Sequence, residues 1–144
     1  LTRHASLVAT RLSGRWRGAL IEGPSGTGKS DLAIRMMVSG FRLVADDRVV
    51  VWTSGGRLFG RSPAPLSGLL EARGVGIVPA APLDYCQIAL LVHCRRGPDD
   101  VERMPEPRPE TIEGVAIPRI ELWPFEAAGP AKLRRALEHL GASA

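Results

Sequence analysis

The run Gly23-Pro24-Ser25-Gly26-Thr27-Gly28-Lys29-Ser30 follows an apolar segment, Ala19 to Ile21, and precedes a helical pattern at Leu32, Ala33, Met36 and Met37. The pattern G-x-x-x-x-G-K-[ST] between a strand and a helix is what anion binding by backbone requires. Glycines let the chain wrap the anion, successive N–H groups point inward, and the helix N-terminus adds a favourable dipole. Residues Gly23 to Ser30 are therefore the expected nucleotide phosphate-binding loop, with Lys29 on the β- and γ-phosphates and Ser30 on Mg²⁺. Composition supports this reading. Of the 19 basic residues only Lys29 and Lys132 are lysine. Lysine persists in the loop, where a compact ammonium suits the position better than the wide guanidinium fork.

Outward from the loop, 144 residues suffice for one domain, 1–144, with a real core, and 44 % hydrophobic with 24 % charged residues is ordinary globular composition. No apolar run reaches the roughly 18 residues of a membrane span, and residues 1–8 lack a long apolar signal core. A cytoplasmic protein with no membrane partner is expected. Cys86 and Cys94 lie eight residues apart in one apolar run. As a strand this spans about 26 Å, beyond disulfide reach, so both are expected to be free buried thiols. The net charge of +4 comes from scattered arginines with few aromatics, so no basic stacking stripe exists and nucleic acid is not the expected partner.

Along the chain, residues 4–10 read as a short strand and 16–21 as a second. A helix from Lys29 to Val38 stops at Ser39-Gly40. Phe41 to Ala45 then reads as a strand ending in Asp46 and Asp47, sixteen residues or so beyond Ser30, which brings carboxylates to the sheet edge that holds the loop. One of the two can hold a metal through water while the other accepts a proton from an attacking hydroxyl. Residues 49–60 read as a hairpin around Gly55-Gly56, 66–70 as a short helical turn, and 85–93 as a buried strand. Glu71 is either a solvated helix end or a ligand aimed at the nucleotide. Residues 95–110, with prolines at 98, 105, 107 and 109, read as a mobile surface loop of the kind that closes over a site. Ile112 to Leu122, broken at Gly114 and Pro118, reads as an edge strand pair, and Ala131 to Leu140 as an amphipathic helix presenting Leu133, Leu137 and Leu140.

Four stretches together resemble the catalytic, C-terminal domain of the HPr kinase/phosphorylase family. They are the phosphate loop with Asp31, the run Arg42 to Val49, the run Leu69 to Ile77, and Val115 to Ile120. The resemblance implies an α/β fold, a P-loop-containing HPr kinase-like domain with a mixed β-sheet and few helices. It implies ATP and Mg²⁺ as cofactors and an HPr-like phosphocarrier of a bacterial phosphotransferase system as partner. Position by position, it makes Asp47 the general base, Lys29 the phosphate-binding lysine, and Ser30 and Glu71 magnesium ligands beside Asp46. His4 matches the family's active-site histidine, and Arg103 its mobile arginine in the Pro-rich loop.

The likeness has limits. The chain resembles a truncated form without the family's separate N-terminal domain. Where the family carries a Pro-x-x-x-Gly-Arg-Asn-like stretch associated with phosphorolysis, this chain has Trp123-Pro124-Phe125-Glu126-Ala127-Ala128-Gly129-Pro130, and it contains no asparagine. The implied activity is thus the kinase direction, with homo-oligomerisation, hexameric in the family, open. A small-metabolite or nucleotide kinase and a non-catalytic ATP-dependent sensor stand as alternatives. A guanine-specific switch is excluded, because its base reader needs asparagine.

Overall fold

The computed structural model describes residues 1–65, 68–72 and 74–143, with backbone alone at 69–72. Among these the chain runs β1 (Thr2–His4), β2 (Ser6–Leu12), β3 (Arg15–Glu22), α1 (Lys29–Val38), β4 (Arg42–Ala45), β5 (Arg48–Ser54), β6 (Arg57–Arg61), β7 (Leu69–Ala72), β8 (Gly76–Pro79), β9 (Tyr85–Cys94), a 3-10 turn (Pro98–Asp100), β10 (Glu110–Ile112), β11 (Val115–Ile117), β12 (Arg119–Leu122) and α2 (Gly129–Leu140). The fold is α/β, and its sheet is mixed. Eight strands join in the order β1-β5-β6-β9-β3-β2-β4, with β12 added to β9. β3, β9 and β12 run parallel; the other neighbours in this sheet pair antiparallel.

The sheet separates two apolar cores. On one face α1 covers β2, β3 and β4 while α2 covers β3 and β9, and Val8, Ile21, Leu32, Met36, Leu90, Val92, Leu133 and Leu137 fill the space between. The opposite face curls over Leu7, Leu20, Val49, Leu58, Ile88 and Leu91, closed by Ile112 and Ile117 of the β10–β11 hairpin. Two glycines permit the close strand approach there. A Cβ on Gly18 would lie 2.5 Å from Cys86 Sγ, and one on Gly60 2.7 Å from Leu7 Cδ2, closer than packed carbon atoms come.

β9 carries a bulge that simple alternation does not anticipate. Gly18 pairs with Ile88 but Ala19 with Leu90, so Ala89 is extra and the side chains beyond it change faces. Cys86 therefore belongs to the curled-sheet core and Cys94 to the helix-side core, although their spacing is even. Both thiols are free and buried. Burial pushes both upward, Cys94 to about 12 despite the opposing charge of Lys29.

Several expected elements shift. The strand over 4–10 is two strands: β1 pairs with β5 and β2 with β3 and β4, and the chain turns a corner at Ala5 between them. Of the helical turn expected at 66–70, residues 66 and 67 lie outside the described residues, while Leu69 and Leu70 belong to β7, paired with β8. So short an apolar run has no decisive period and takes the structure its partner offers. The stretch from Ile112 to Leu122 is not one edge pair. Pro118, which has no N–H to give a ladder, separates the β10–β11 hairpin from β12, which pairs with β9. α2 starts at Gly129, two residues before the expected Ala131, because Pro130 is tolerated in a first helical turn. No helix among the described residues is long and apolar enough to cross a membrane.

Candidate active site at the phosphate loop

The phosphate loop leaves the C-terminal end of β3 and enters α1 directly. Gly23, Gly26 and Gly28 take positive φ of 150°, 80° and 96°, conformations that side chains resist and that turn successive N–H groups toward one concavity. Thr27 closes the turn: its N–H and hydroxyl both donate to the Pro24 carbonyl, at 3.3 and 2.6 Å. Lys29 Nζ sits at the rim, donating to the carbonyls of Gly23 at 2.7 Å and Pro24 at 3.2 Å.

The two aspartates occupy the corner between β4 and β5. Arg48 N–H donates to Asp46 O at 2.8 Å, and Asp47 between them has φ of 68°, which together make a γ-turn, a strained and uncommon conformation. This corner lies against the other corner, at Ala5, whose N–H donates to Asp47 O at 3.1 Å. The juxtaposition gives each aspartate its own neighbour. Asp46 Oδ1 accepts from Ser6 Oγ at 2.8 Å and from Ser30 Oγ at 3.1 Å. Asp47 Oδ1 lies 2.7 Å from His4 Nε2. An ionised carboxylate only accepts, so Nε2 carries the proton. Asp46 is thereby committed to the phosphate-loop helix, and Asp47, with its side chain 70 % exposed, faces outward.

The donor set suits magnesium. Ser30 Oγ and Asp46 Oδ1 are hard oxygens already adjacent, and among the described residues no three His, Cys, Asp or Glu side chains converge into a cage. Magnesium is held in this sparse way, by one or two protein oxygens completed by water and phosphate. Glu71 is in β7 opposite Ile77; its side chain lies outside the described residues. Arg103 is exposed in the segment between the 3-10 turn and β10, and forms no ion pair among the described residues. That segment is irregular and exposed for most of its length, as its prolines suggest. Two clefts elsewhere, one along α2 beside Arg135 and His139 and one beside Arg15, Phe59 and Tyr85, do not touch the phosphate loop. Anion binding by backbone N–H groups needs a turn rather than a deep pocket.

Comparison with known proteins gives this geometry a context. The family description "HPr Serine kinase C-terminal domain" matches residues 3–122. The chain belongs to this family. The HPr kinase/phosphorylase of Limosilactobacillus reuteri (strain DSM 20016) is 37 % identical over 116 residues, 73 % of this chain and 36 % of that protein. That of Clostridium tetani (strain Massachusetts / E88) is 40 % identical over 90 residues, 58 % of this chain and 30 % of that one. The chain thus spans about a third of the length of these curated relatives. The solved structure of the Hpr(Ser) kinase/phosphatase from Coxiella burnetii matches at a TM-score of 0.75 and 22 % identity, over 95 % of this chain and 88 % of that one, a likeness of fold. The HPr serine kinase match runs from within β1 to the end of β12 and hence takes in His4, the phosphate loop, both aspartates, Glu71 and Arg103.

Two residues beside the loop had no signature in the sequence. Ser6, 1 % exposed, looks like any small strand residue until β2 places it beside Asp46, and Thr10 on the same strand carries a hydroxyl as well, so no local cue singles it out. Phe125 packs on Gly28 from a turn beyond the family match, and no local pattern links them.

Proposed function

We propose that this domain is a Mg-ATP-dependent protein kinase that phosphorylates a serine of an HPr-like phosphocarrier protein. The observation that carries the reading is the division of labour between adjacent aspartates beside a phosphate loop. Asp46 is bonded to Ser30 and Ser6, while Asp47 is turned out by its γ-turn and held by His4.

In this reading the backbone of residues 23–30 and Lys29 bind and orient the triphosphate. Ser30, Asp46 and Glu71 would hold magnesium, which would supply positive charge to the triphosphate. Asp47 accepts the hydroxyl proton of the carrier serine as its oxygen attacks the γ-phosphorus in line, and the bond to the β-phosphate oxygen breaks to release ADP. His4 donates to Asp47 and fixes the direction of its free oxygen. Arg103 supplies positive charge to the transferring phosphoryl group from the Pro-rich loop. Family membership and the likeness to HPr kinase/phosphorylases support this choice of substrate over a small metabolite.

The test combines the protein, Mg-ATP and each HPr-like protein of the same cell, with phosphate located by mass spectrometry. Acid-stable phosphate on one carrier serine is expected. Asp47→Asn should keep nucleotide affinity and lose turnover by roughly 10²-fold or more, the scale of a general base. Transfer to nucleoside monophosphates instead, or near-normal transfer by Asp47→Asn, would overturn the assignment.

A further inference from the structure

The turn between β12 and α2 lies beyond the family match and has no part in the mechanism above. Its Phe125 is 55 % exposed, yet the tip of the ring rests on the phosphate loop. A Cβ placed on Gly28 would meet Phe125 Cζ at 2.8 Å and Cε1 at 3.0 Å. Glycine at position 28 thus serves twice: it permits φ of 96°, and it makes room for an aromatic edge beside Lys29.

The turn that carries this ring is held from both sides. Arg35 of α1 donates Nε to Asp31 at 3.0 Å and its Nη atoms to the carbonyls of Pro124 and, at 3.5 Å, Glu126. Glu126 N–H closes back on Trp123 O at 3.3 Å, and Lys132 Nζ of α2 holds both Glu126 oxygens at 2.9 Å. Both helices therefore clamp the turn that carries Phe125, and the phosphate-loop helix itself provides one half of the clamp.

We propose that Phe125 is the platform on which the base of the bound nucleotide stacks, an inference that rests on reading residues 23–30 as a nucleotide site. The phosphate loop and Lys29 recognise charge alone and cannot distinguish a nucleotide from inorganic polyphosphate. A flat apolar surface within a ribose of the phosphates supplies that discrimination, and one carried on an already clamped turn costs little ordering on binding. Phe125 rises from such a turn, and it is the exposed aromatic that the described residues place on the loop. Stacking on a phenyl face uses the π-surface that every base has. The site therefore favours nucleotides over bare triphosphate, prefers purines for their larger area, and separates ATP from GTP weakly.

The experiment measures dissociation constants by calorimetry for Mg-ATP and for Mg-bound inorganic triphosphate, on the wild type and on Phe125→Trp, Phe125→Leu and Phe125→Ala. Leucine keeps an apolar group against Gly28 and removes the stack. The platform predicts that Phe125→Leu and Phe125→Ala weaken ATP by roughly tenfold, leave triphosphate within about twofold, and that Phe125→Trp retains ATP. If both ligands weaken alike, the ring merely props the loop and the inference fails; if neither changes, the base lies elsewhere and it fails too. A wild type that binds neither ligand overturns the phosphate-loop reading itself, and the platform with it.

Discussion

Cys94 lies beneath the phosphate loop: a Cβ on Gly23 would lie 2.9 Å from Cys94 Cβ. Its thiol releases a proton near 9.0 in an unfolded chain and near 12 when folded, because burial disfavours the thiolate. Between those values the unfolded chain binds fewer protons, so stability falls as pH rises and is fully present below about 9. Cys86 is pushed up further by the same cause. Urea titrations at pH 8, 9 and 10 should show stability declining above 9, toward a limiting slope of about 1.4 kcal/mol per pH unit for each thiol. Cys94→Ala should remove its share of the slope; an unchanged slope would mean that Cys94 is not buried as described. At this scale the sequence was informative wherever the candidate site is built from adjacent residues. Lys29 and Ser30 follow their glycines, and Asp46 and Asp47 follow their strand, since local spacing fixes those relations. His4 needed the family resemblance, because its bond to Asp47 joins residues 43 apart in sequence through the pairing of β1 with β5.

The strand ends around the site are tied by a run of charges. Arg3 on β1 meets Glu22 at 2.6 Å and Glu110 at 3.2 Å. Arg119 on β12 joins Glu110 to Glu121, both at 3.3 Å, and Arg95, just past β9, meets Glu121 at 3.2 Å. Glu22 holds the Arg3 guanidinium proton more firmly still. The chain of pairs fastens both feet of the Pro-rich segment, Arg95 and Glu110, to the strand that leads into the phosphate loop. Arg3→Gln should lower stability by roughly 1–2 kcal/mol, since Glu22 is left partly buried without its bidentate partner. Thermal melts at low and high salt provide the check: the difference should shrink with salt, and most of it should survive because Glu22 is partly buried. None of this was visible beforehand, because arginines scattered through a sequence reveal partners only once strands are in register. α1 and the hairpin of β5 and β6 were legible for the opposite reason. Their signals, a phosphate loop and a helix stop in one case and Gly55-Gly56 in the other, act over a few residues.

For the whole molecule, β9 is the organising strand. One of its edges pairs with β3, while its other edge is shared end to end by β6 over Tyr85 to Gln87 and by β12 over Leu91 to Cys94. Periodicity finds β9 as a buried strand but not this sharing, which depends on the return of the chain from residue 95 to residue 119. Nor does it find the bulge at Ala89, which puts Cys86 and Ile88 in one core and Leu90, Val92 and Cys94 in the other although all five are even-numbered.

The shared edge bears on what the 95–109 segment does for the fold. The elements after it dock through contacts of their own: β12 hydrogen-bonds to β9, and Leu122, Leu133 and Leu137 are buried in the helix-side core. Protease treatment that nicks only this segment should leave two pieces that co-elute on size exclusion and melt together; pieces that part without denaturant would show that the peptide connection itself is required. The vacant half-edge of β9 would then be a socket and the C-terminal piece its plug, so that two separately made halves of this domain could reconstitute one working site.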